Sequence, residues 1–197
     1  MRKFVIGDPP AIDLRVRRVA RTLPGRAAGR VLSPLFPIGL PGGYLVIAYA
    51  TAHWLHRRGR HGAGAIITSA CLGWLLHRAA KVVLVRERPR RPRSRVRLDS
   101  FPSGHTTGAT SLAVTTAVVL RRERLISARA AAALAFGAPL VMGAYRVFAD
   151  DHWATDVAGG WVLGSAIAFA SLEGVRGSSK TRRARPRVRR AAQTFAG

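Results

Sequence analysis

The sequence predicts an all-α protein, a polytopic membrane helical bundle of about five transmembrane helices preceded by an N-terminal amphipathic surface helix. Of its 197 residues, 48% are hydrophobic, and most of these lie in stretches close to the 20 residues that a bilayer-spanning helix requires. The formal net charge of +24 is concentrated between and after those stretches. Most connections between them are short, which makes neighbouring helices antiparallel.

The chain divides into three predicted regions. Residues 1–34 form an amphipathic segment, in which apolar residues such as Ile12 and Val19 are interspersed with arginines, as in helices that lie on a membrane surface. Residues 35–173 form the transmembrane domain. Residues 174–197 are rich in arginine and poor in apolar residues, which predicts a basic, disordered tail.

The predicted spans share an apolar composition and are bounded by charged or turn-forming residues. They cover residues 35–55, 62–85, 105–120, 125–148 and 153–172. The third is short and rich in Ser and Thr. Only the connection over residues 86–104 is long. No secretory signal is evident, because the apolar stretch after Lys3 is too short.

The excess of positive charge, 33 Lys and Arg against 9 Asp and Glu, would suggest a nucleic-acid partner in a soluble domain. Here the arginines flank apolar spans, which is the arrangement of membrane loops. We therefore expect no nucleic-acid partner, and a lipid bilayer and a membrane lipid substrate instead. The oligomeric state does not follow from the sequence. The single cysteine, Cys71, excludes an intramolecular disulfide framework.

Three motifs lie at the edges of predicted spans and contain the residues with catalytic chemistry. They are Lys81-x6-Arg88-Pro89, Pro102-Ser103-Gly104-His105 and Arg146-x5-His152-x3-Asp156. Together they supply three cations, two histidines and one carboxylate. This set suits phosphoryl transfer, in which Lys and Arg bind the phosphoryl group while one His attacks it and another protonates the leaving group. The motifs therefore predict a membrane-embedded phosphatase.

In order and spacing, the three motifs resemble the signature of the type 2 phosphatidic acid phosphatase superfamily. That superfamily includes lipid phosphate phosphatases, polyprenyl-diphosphate phosphatases, soluble bacterial acid phosphatases and vanadium haloperoxidases. The resemblance covers residues 81–156. It departs at Tyr145, where the family usually has Ser, and we expect this to change local packing or hydrogen bonding without loss of activity.

The resemblance implies a role for each motif residue. His152 would be the nucleophile that forms a phosphohistidine, and His105 the general acid for the leaving oxygen and then the base for water. Asp156 lies one helical turn beyond His152, where a carboxylate can orient the imidazole.

The remaining motif residues would bind the substrate phosphate. The resemblance assigns this role to Lys81, Arg88 and Arg146, whose charges would stabilise the equatorial oxygens in the transition state. Ser103 would hydrogen-bond the same oxygens, and the Gly104 N–H at a helix start is a favourable anion donor. With these cations in place we expect no metal and no other cofactor.

The substrate preference also comes from resemblance. The short chain, surface helix and five spans are similar to small bacterial polyprenyl-diphosphate phosphatases, which recycle the cell-wall lipid carrier. Phosphatidate, phosphatidylglycerol phosphate and a polyprenyl phosphoribose phosphate remain open as alternatives. A hypothesis of another class is a nonenzymatic basic protein that tethers itself to membranes through the tail, and the complete motif set argues against it.

The distribution of loop arginines predicts the orientation of the chain. Arginines of the short loops lie on the face opposite the motifs, at positions 57, 58, 60, 121, 122 and 124. The positive-inside rule assigns that face and the tail to the cytoplasm. We therefore expect a multi-pass protein of the cell (plasma) membrane with an extracytoplasmic active site, although arginines of the N-terminal segment and of residues 86–97 would then also be translocated.

Overall fold

Helices form at every predicted span. The computed structural model describes residues 3–89 and 98–194, with side chains to residue 174. In chain order the elements are strand β1 (Phe4–Val5), helices α1 (Ala11–Ala20), α2 (Leu23–Val31), α3 (Phe36–Gly39), α4 (Pro41–Arg57) and α5 (Ala63–Val83), strand β2 (Leu84–Val85), and helices α6 (Gly104–Arg122), α7 (Ala128–Ala132), α8 (Ala138–Phe148) and α9 (Ala154–Thr194). A short 3-10 helix (Ser33–Leu35) precedes α3, and a π-helical turn (Ala133–Gly137) joins α7 to α8. Strand β1 pairs with β2 in parallel.

Within the described part of the chain, three helices are long and apolar enough to cross a membrane by themselves. They are Ala63–Val83, Ala128–Phe148 and Ala154–Gly174. The segments Ser33–Gly39 and Pro41–Arg57 together make a fourth candidate, bent by 68°. The fold is thus the predicted helical membrane bundle. Apolar composition alone identifies three or four spans, against the five that we predicted.

The difference in the number of spans arises at α6, which lies at the centre of the bundle against α4, α5, α8 and α9. Its buried polar residues are Thr106, Thr107, Thr110, Ser111, Thr115 and Thr116. Some of them bond to neighbouring helices: Ser69 donates to the Ser111 carbonyl at 2.8 Å, and Thr115 donates to Ser69 at 2.9 Å. Because protein surrounds α6, this helix does not need the apolar surface that lipid would require.

The first predicted span, residues 35–55, is interrupted where the backbone becomes extended at Leu40. Pro41 begins α4, and its missing N–H suits the first turn of a helix. The short helix α3 before the break crosses the end of the bundle. Its Phe36 ring lies 5.2 Å from the ring of His105. The break therefore brings part of the predicted span to the motif residues.

The N-terminal segment forms α1 and α2, as the surface-helix prediction requires. Asp13 and Ala20 are the buried residues of α1, whereas Ile12 and Val19 are exposed. The apolar residues thus face outward, where lipid would lie. At the other end of the chain, α9 extends from the membrane domain to Thr194. The division into three regions and the disorder of the tail remain predictions.

Candidate active site

The three motifs meet at one end of the bundle because antiparallel helices bring alternate helix ends to the same side. Lys81 lies in the last turn of α5, and His105 in the first turn of α6. Arg146 lies in the last turn of α8, and Asp156 in the first turn of α9. His152 occupies the short connection between those two helices. The structure therefore brings together residues that are up to 75 positions apart in the sequence.

His152 and Asp156 form a buried pair. The imidazole Nδ1 lies 3.5 Å from Asp156 Oδ2, and the two side chains are 1% and 0% exposed. The same carboxylate oxygen accepts hydrogen bonds from Ser100 Oγ at 2.5 Å and from the Trp153 N–H at 2.8 Å. With Nδ1 turned toward the carboxylate, Nε2 is the ring nitrogen that remains for a substrate.

The surroundings of His152 favour the neutral imidazole. Burial lowers its pKa from the ordinary value of 6.5 to about 4, and the positive charges of Arg88, Arg146 and Lys81 act in the same direction. The bond to Asp156 only partly offsets these effects. His152 is therefore unprotonated at neutral pH, which is the state that a nitrogen nucleophile requires.

The three motif cations bind loop groups. Lys81 Nζ donates to the Asp99 carbonyl at 2.8 Å and lies 3.9 Å from its carboxylate. Arg88 grips the Asp99 carboxylate with two bonds of 2.9 and 3.1 Å. Arg146 Nη2 lies 3.0 Å from Asp151 Oδ2. These acidic side chains neutralise cations that could otherwise hold a phosphoryl group.

Several donor and acceptor atoms of the site are buried and have no hydrogen-bond partner among the described residues. They include Nε and Nη1 of Arg146 and Nε2 of His105. The His105 ring packs against the Phe36 ring, with 5.2 Å between the ring centroids. Leaving such groups unpaired is costly, so these atoms are suited to bind a polar ligand.

The second motif forms the N-terminus of α6. Ser103 is fully buried and caps this helix, accepting hydrogen bonds from the Thr106 N–H at 3.5 Å and the Thr106 hydroxyl at 3.0 Å. At Gly104 a Cβ atom would lie 2.8 Å from the His77 ring. This close approach accounts for glycine here, and it places a buried His77 behind the motif.

Tyr145, the departure from the family pattern, packs against the neighbouring motif arginine. The Arg146 guanidinium lies 5.3 Å from the Tyr145 ring centroid and 5.7 Å from that of Phe36. Tyr145 is itself buried. The aromatic ring thus packs against the guanidinium and attracts it through a cation–π interaction.

Sequence reasoning missed two buried residues beside the motifs, Arg86 and Asp13. Arg86 Nη1 donates to Asp156 Oδ1 at 2.6 Å, and Nη2 donates to Asp13 Oδ2 at 2.7 Å. Arg86 lies within the variable stretch of the first motif, in an arginine-rich region that concealed it. Asp13 carried a signal that could have been used, because it is an acidic residue within a basic amphipathic helix.

Comparison with known proteins agrees with this geometry. A family model described as the PAP2 superfamily matches residues 62–179. The Aquifex aeolicus LpxE crystal structure matches with a TM-score of 0.63 and 24% identity, over 86% of this chain and 99% of that one.

A transmembrane PAP2-type phosphatidylglycerolphosphate phosphatase from Bacillus subtilis matches with a TM-score of 0.63 and 20% identity. That match covers 86% of this chain and 85% of the other. A search of curated protein sequences found no match. The structural matches show a shared fold, that of multi-pass membrane phosphatases. With the family model covering most of the chain, including all three motifs, this protein belongs to the PAP2 superfamily.

Proposed function

We propose that this protein is an integral-membrane lipid phosphatase, which hydrolyses a phosphate monoester or diphosphate ester of a lipid through a phosphohistidine, without a metal. One observation carries the proposal: the neutral, buried imidazole of His152 lies among Lys81, Arg88 and Arg146, with the carboxylate of Asp156 behind it. A nucleophile surrounded by fixed cations is suited to attack an anionic phosphoryl group.

In the first step, His152 Nε2 attacks phosphorus while the bond to the lipid oxygen breaks. His105 is partly buried near Arg146 and Lys81, which disfavour its charged form, so its imidazolium forms beside the negative charge of the bound phosphoryl group. It then gives its proton to the leaving oxygen, so that a lipid alcohol departs from a monoester, or a lipid monophosphate from a diphosphate. The imidazole becomes positively charged when it forms the new N–P bond. Asp156, 3.5 Å from Nδ1, stabilises that charge.

In the second step, a water molecule attacks the phosphohistidine. His105, now unprotonated, takes a proton from the water, the N–P bond breaks, and inorganic phosphate leaves. His152 returns to its neutral state. Both steps use the same two histidines, and no electrons are transferred.

The phosphoryl oxygens bind the cations that Asp99 and Asp151 hold in the absence of substrate. Arg146 has two buried nitrogens with no acceptor among the described residues, and these suit equatorial phosphoryl oxygens. Lys81 and Arg88 turn from Asp99 to the substrate. The fixed positive charge of the three residues stabilises the transition state, as a metal ion does in other phosphatases.

An apolar groove of about 320 Å³ supports a lipid substrate. It lies between α3, α4, α6 and α8, and its lining includes Ile38, Ile47, Leu112 and Met142. At Gly39, next to Ile38, a Cβ atom would lie 2.3 Å from the His105 ring and 3.0 Å from the Met142 sulfur. The groove therefore begins beside His105, where a hydrocarbon chain attached to the reacting phosphate could enter.

Among lipid phosphates we favour a polyprenyl diphosphate, with phosphatidate, phosphatidylglycerol phosphate and a polyprenyl phosphoribose phosphate as alternatives. A diphosphate carries more negative charge than a monoester and matches the number of cations at the site. We further propose that the protein lies in the plasma membrane with this site on the extracytoplasmic side, since the arginines of the short loops lie at the opposite end.

A panel of lipid phosphates and diphosphates, supplied to the detergent-purified protein, tests the proposal through release of inorganic phosphate. We expect at least one lipid to be hydrolysed, in the presence of EDTA, and inhibition by vanadate, which mimics the five-coordinate transition state. Activity that is lost on chelation and restored by Mg²⁺ would overturn the metal-free mechanism. Release from no lipid would favour the nonenzymatic tethering hypothesis.

The same assay tests the nucleophile. His152→Ala removes the attacking nitrogen, and we expect no phosphate release and no acid-labile, base-stable phosphoryl label on the protein. His61→Ala is the matched control, because His61 is exposed in the connection between α4 and α5 at the opposite end of the bundle. Substantial turnover by the His152 variant would disprove the assignment.

A further inference from the structure

Arg86 connects the N-terminal surface helix to the catalytic pair. Its side chain is 4% exposed, and its guanidinium lies between the carboxylates of two side chains that are 0% exposed, Asp156 at 2.6 Å and Asp13 at 2.7 Å. Arg86 Nη1 also donates to Thr155 Oγ1 at 2.7 Å. A buried arginine shared by two carboxylates is expensive to desolvate, and breaking one side of it leaves a buried charge uncompensated.

The position of Asp13 is set by α9 as well as by Arg86. Asp13 Oδ1 accepts a hydrogen bond from the Thr155 N–H at 2.9 Å, and Oδ2 accepts one from the Thr155 hydroxyl at 2.6 Å. Thr155 directly precedes Asp156 in the first turn of α9. Asp13 therefore binds both the backbone next to the catalytic carboxylate and the arginine that pairs with that carboxylate.

Helix α1 presents this carboxylate through a stripe that faces the bundle. Asp13 and Ala20 are buried and Arg17 is partly buried, one or two turns apart. Arg17 binds the Asp150 carboxylate at 2.7 and 3.1 Å and the Pro89 carbonyl at 2.5 Å. The outward residues Ile12 and Val19 are exposed and apolar. One side of α1 thus contacts the active-site loops, while the other is suited to lipid.

We propose that Asp13 and Arg86 are positioning residues of the reaction. Through these two residues, the packing of α1 against α9 controls the orientation of the His152–Asp156 pair and the electrostatic field that acts on it. The inference rests on the proposed role of His152 as nucleophile. It assigns to the surface helix a part in the reaction beyond membrane attachment, because α1 contributes a buried carboxylate, Asp13, that is linked to the catalytic carboxylate of Asp156 through Arg86.

The charges determine the direction of each effect. The charged or titratable groups that act on His152 are Asp156 from α9, Arg146 from α8, Lys81 from α5, Arg88 from the segment after β2, and His105 from α6. The positive charge of Arg86 weakens the effect of the Asp156 carboxylate on His152. The negative charge of Asp13 offsets part of the positive charge of Arg86. Asp13 therefore helps Asp156 to stabilise the cation that forms when His152 is phosphorylated.

The test compares Asp13→Asn with the double variant Asp13→Asn/Arg86→Gln, using the lipid that wild type hydrolyses. In the single variant Arg86 pairs with Asp156 alone, so the acidic limb of the kcat/KM profile should move to lower pH. We expect turnover to fall about 10-fold to 100-fold, as for residues that orient a reactive group from behind. In the double variant Asp156 loses its arginine, and the acidic limb should move back to higher pH.

Asp8→Asn is the matched control, since it removes an exposed carboxylate five positions before Asp13. Asp13→Glu keeps the charge and should retain the wild-type acidic limb. Thermal unfolding in the same detergent identifies loss of fold. If Asp13→Asn does not fold, Thr155→Val carries the test, because it removes the hydroxyl shared by Asp13 and Arg86 and should also lower turnover.

Two results would overturn the inference: single and double variants with unshifted acidic limbs, or turnover in folded Asp13→Asn equal to that of Asp8→Asn. Both results presuppose an active wild type. A wild-type protein that releases phosphate from no lipid contradicts the proposed function instead, so the two failures are distinguishable.

Discussion

His152 is the side chain whose protonation state governs the proposed reaction. Its pKa is lowered to about 4, chiefly by burial. We expect kcat/KM to stay near its neutral value as the pH falls through 6.5 and to decline only toward pH 4, where the imidazole takes up a proton. The measurement is phosphate release from the identified lipid over this pH range. A decline centred near pH 6.5 would mean that the nucleophile is less buried than the structure indicates.

The same shift makes the fold sensitive to acid. An unfolded histidine binds a proton below its ordinary pKa of 6.5, whereas the folded one does not until about pH 4. The unfolded state therefore holds more protons in this interval. The stabilisation from neutral His152 is complete above pH 6.5 and is progressively lost as the pH falls to about 4.

The Asp99 carboxylate pairs with Arg88 and lies near Lys81, the two cations that the substrate phosphate would bind. The carboxylate binds Arg88 at 2.9 Å and lies 3.9 Å from Lys81 Nζ, yet the Asp99 side chain is 48% exposed. We expect Asp99→Asn to tighten the binding of phosphate or vanadate about 2-fold to 5-fold, because an exposed competing ion pair contributes up to about 1 kcal/mol. The measurement is the inhibition constant of each anion, with Asp8→Asn as the control. Weaker binding would indicate that Asp99 orients the cations and does not compete for them.

Helices α6 and α9 approach closely through glycine. A Cβ atom at Gly164 would lie 2.6 Å from the Thr110 Cβ and 2.7 Å from the Thr107 carbonyl oxygen, and a backbone atom cannot move aside as a flexible side chain can. We expect Gly164→Ala to lower the free energy of unfolding by about 1–3 kcal/mol.

Gly64→Ala in α5 is the control, because nothing lies within 4 Å of the added methyl group. That variant should be neutral or up to about 1 kcal/mol more stable, since alanine favours the helix. Thermal unfolding in detergent gives both values. If the two variants have the same free energy of unfolding, α6 and α9 can move apart to accept the added methyl group at lower cost than their geometry implies.

The break between α3 and α4 shows how a helix interruption serves the site. An unbroken first span would carry Phe36 along the axis of α4 and away from the helix ends. Because the chain turns by 68°, Phe36 reaches both the His105 ring and the Arg146 guanidinium. The extended backbone at Leu40 thus allows one short helix to support groups from two other helices.

The orientation of the whole bundle can be tested with single cysteines in a Cys71→Ala background. Gly7→Cys lies near the site, in an exposed position with nothing within 4 Å, and His61→Cys lies at the opposite end. We expect an impermeant maleimide to label position 7 in intact cells or spheroplasts, and position 61 only after lysis. The reverse pattern would place the site in the cytoplasm and favour lipid phosphates made on that side.

Hydropathy predicted the fold class from the sequence alone, and the three motifs, through the family resemblance, predicted the residues of the candidate site. Membrane spans are local features, since a stretch of apolar residues must become a helix wherever lipid surrounds it. The motif residues also follow from local order, because each lies at the end of a span and short connections return those ends to one side. His152 directly precedes α9 and Asp156 lies four positions on, in the first turn of that helix, so even their contact was predictable from their spacing.

Tertiary structure alone decided which polar residues are buried together. Arg86 and Asp13 are 73 positions apart, and their pairing depends on how α1 docks against β2 and α9. The central position of α6 likewise depends on its neighbours, which cover its Ser and Thr residues so that lipid does not contact them. A sequence pattern describes the composition of one segment at a time. The energy of a buried charge depends instead on the atoms that other segments place within a few ångströms of it.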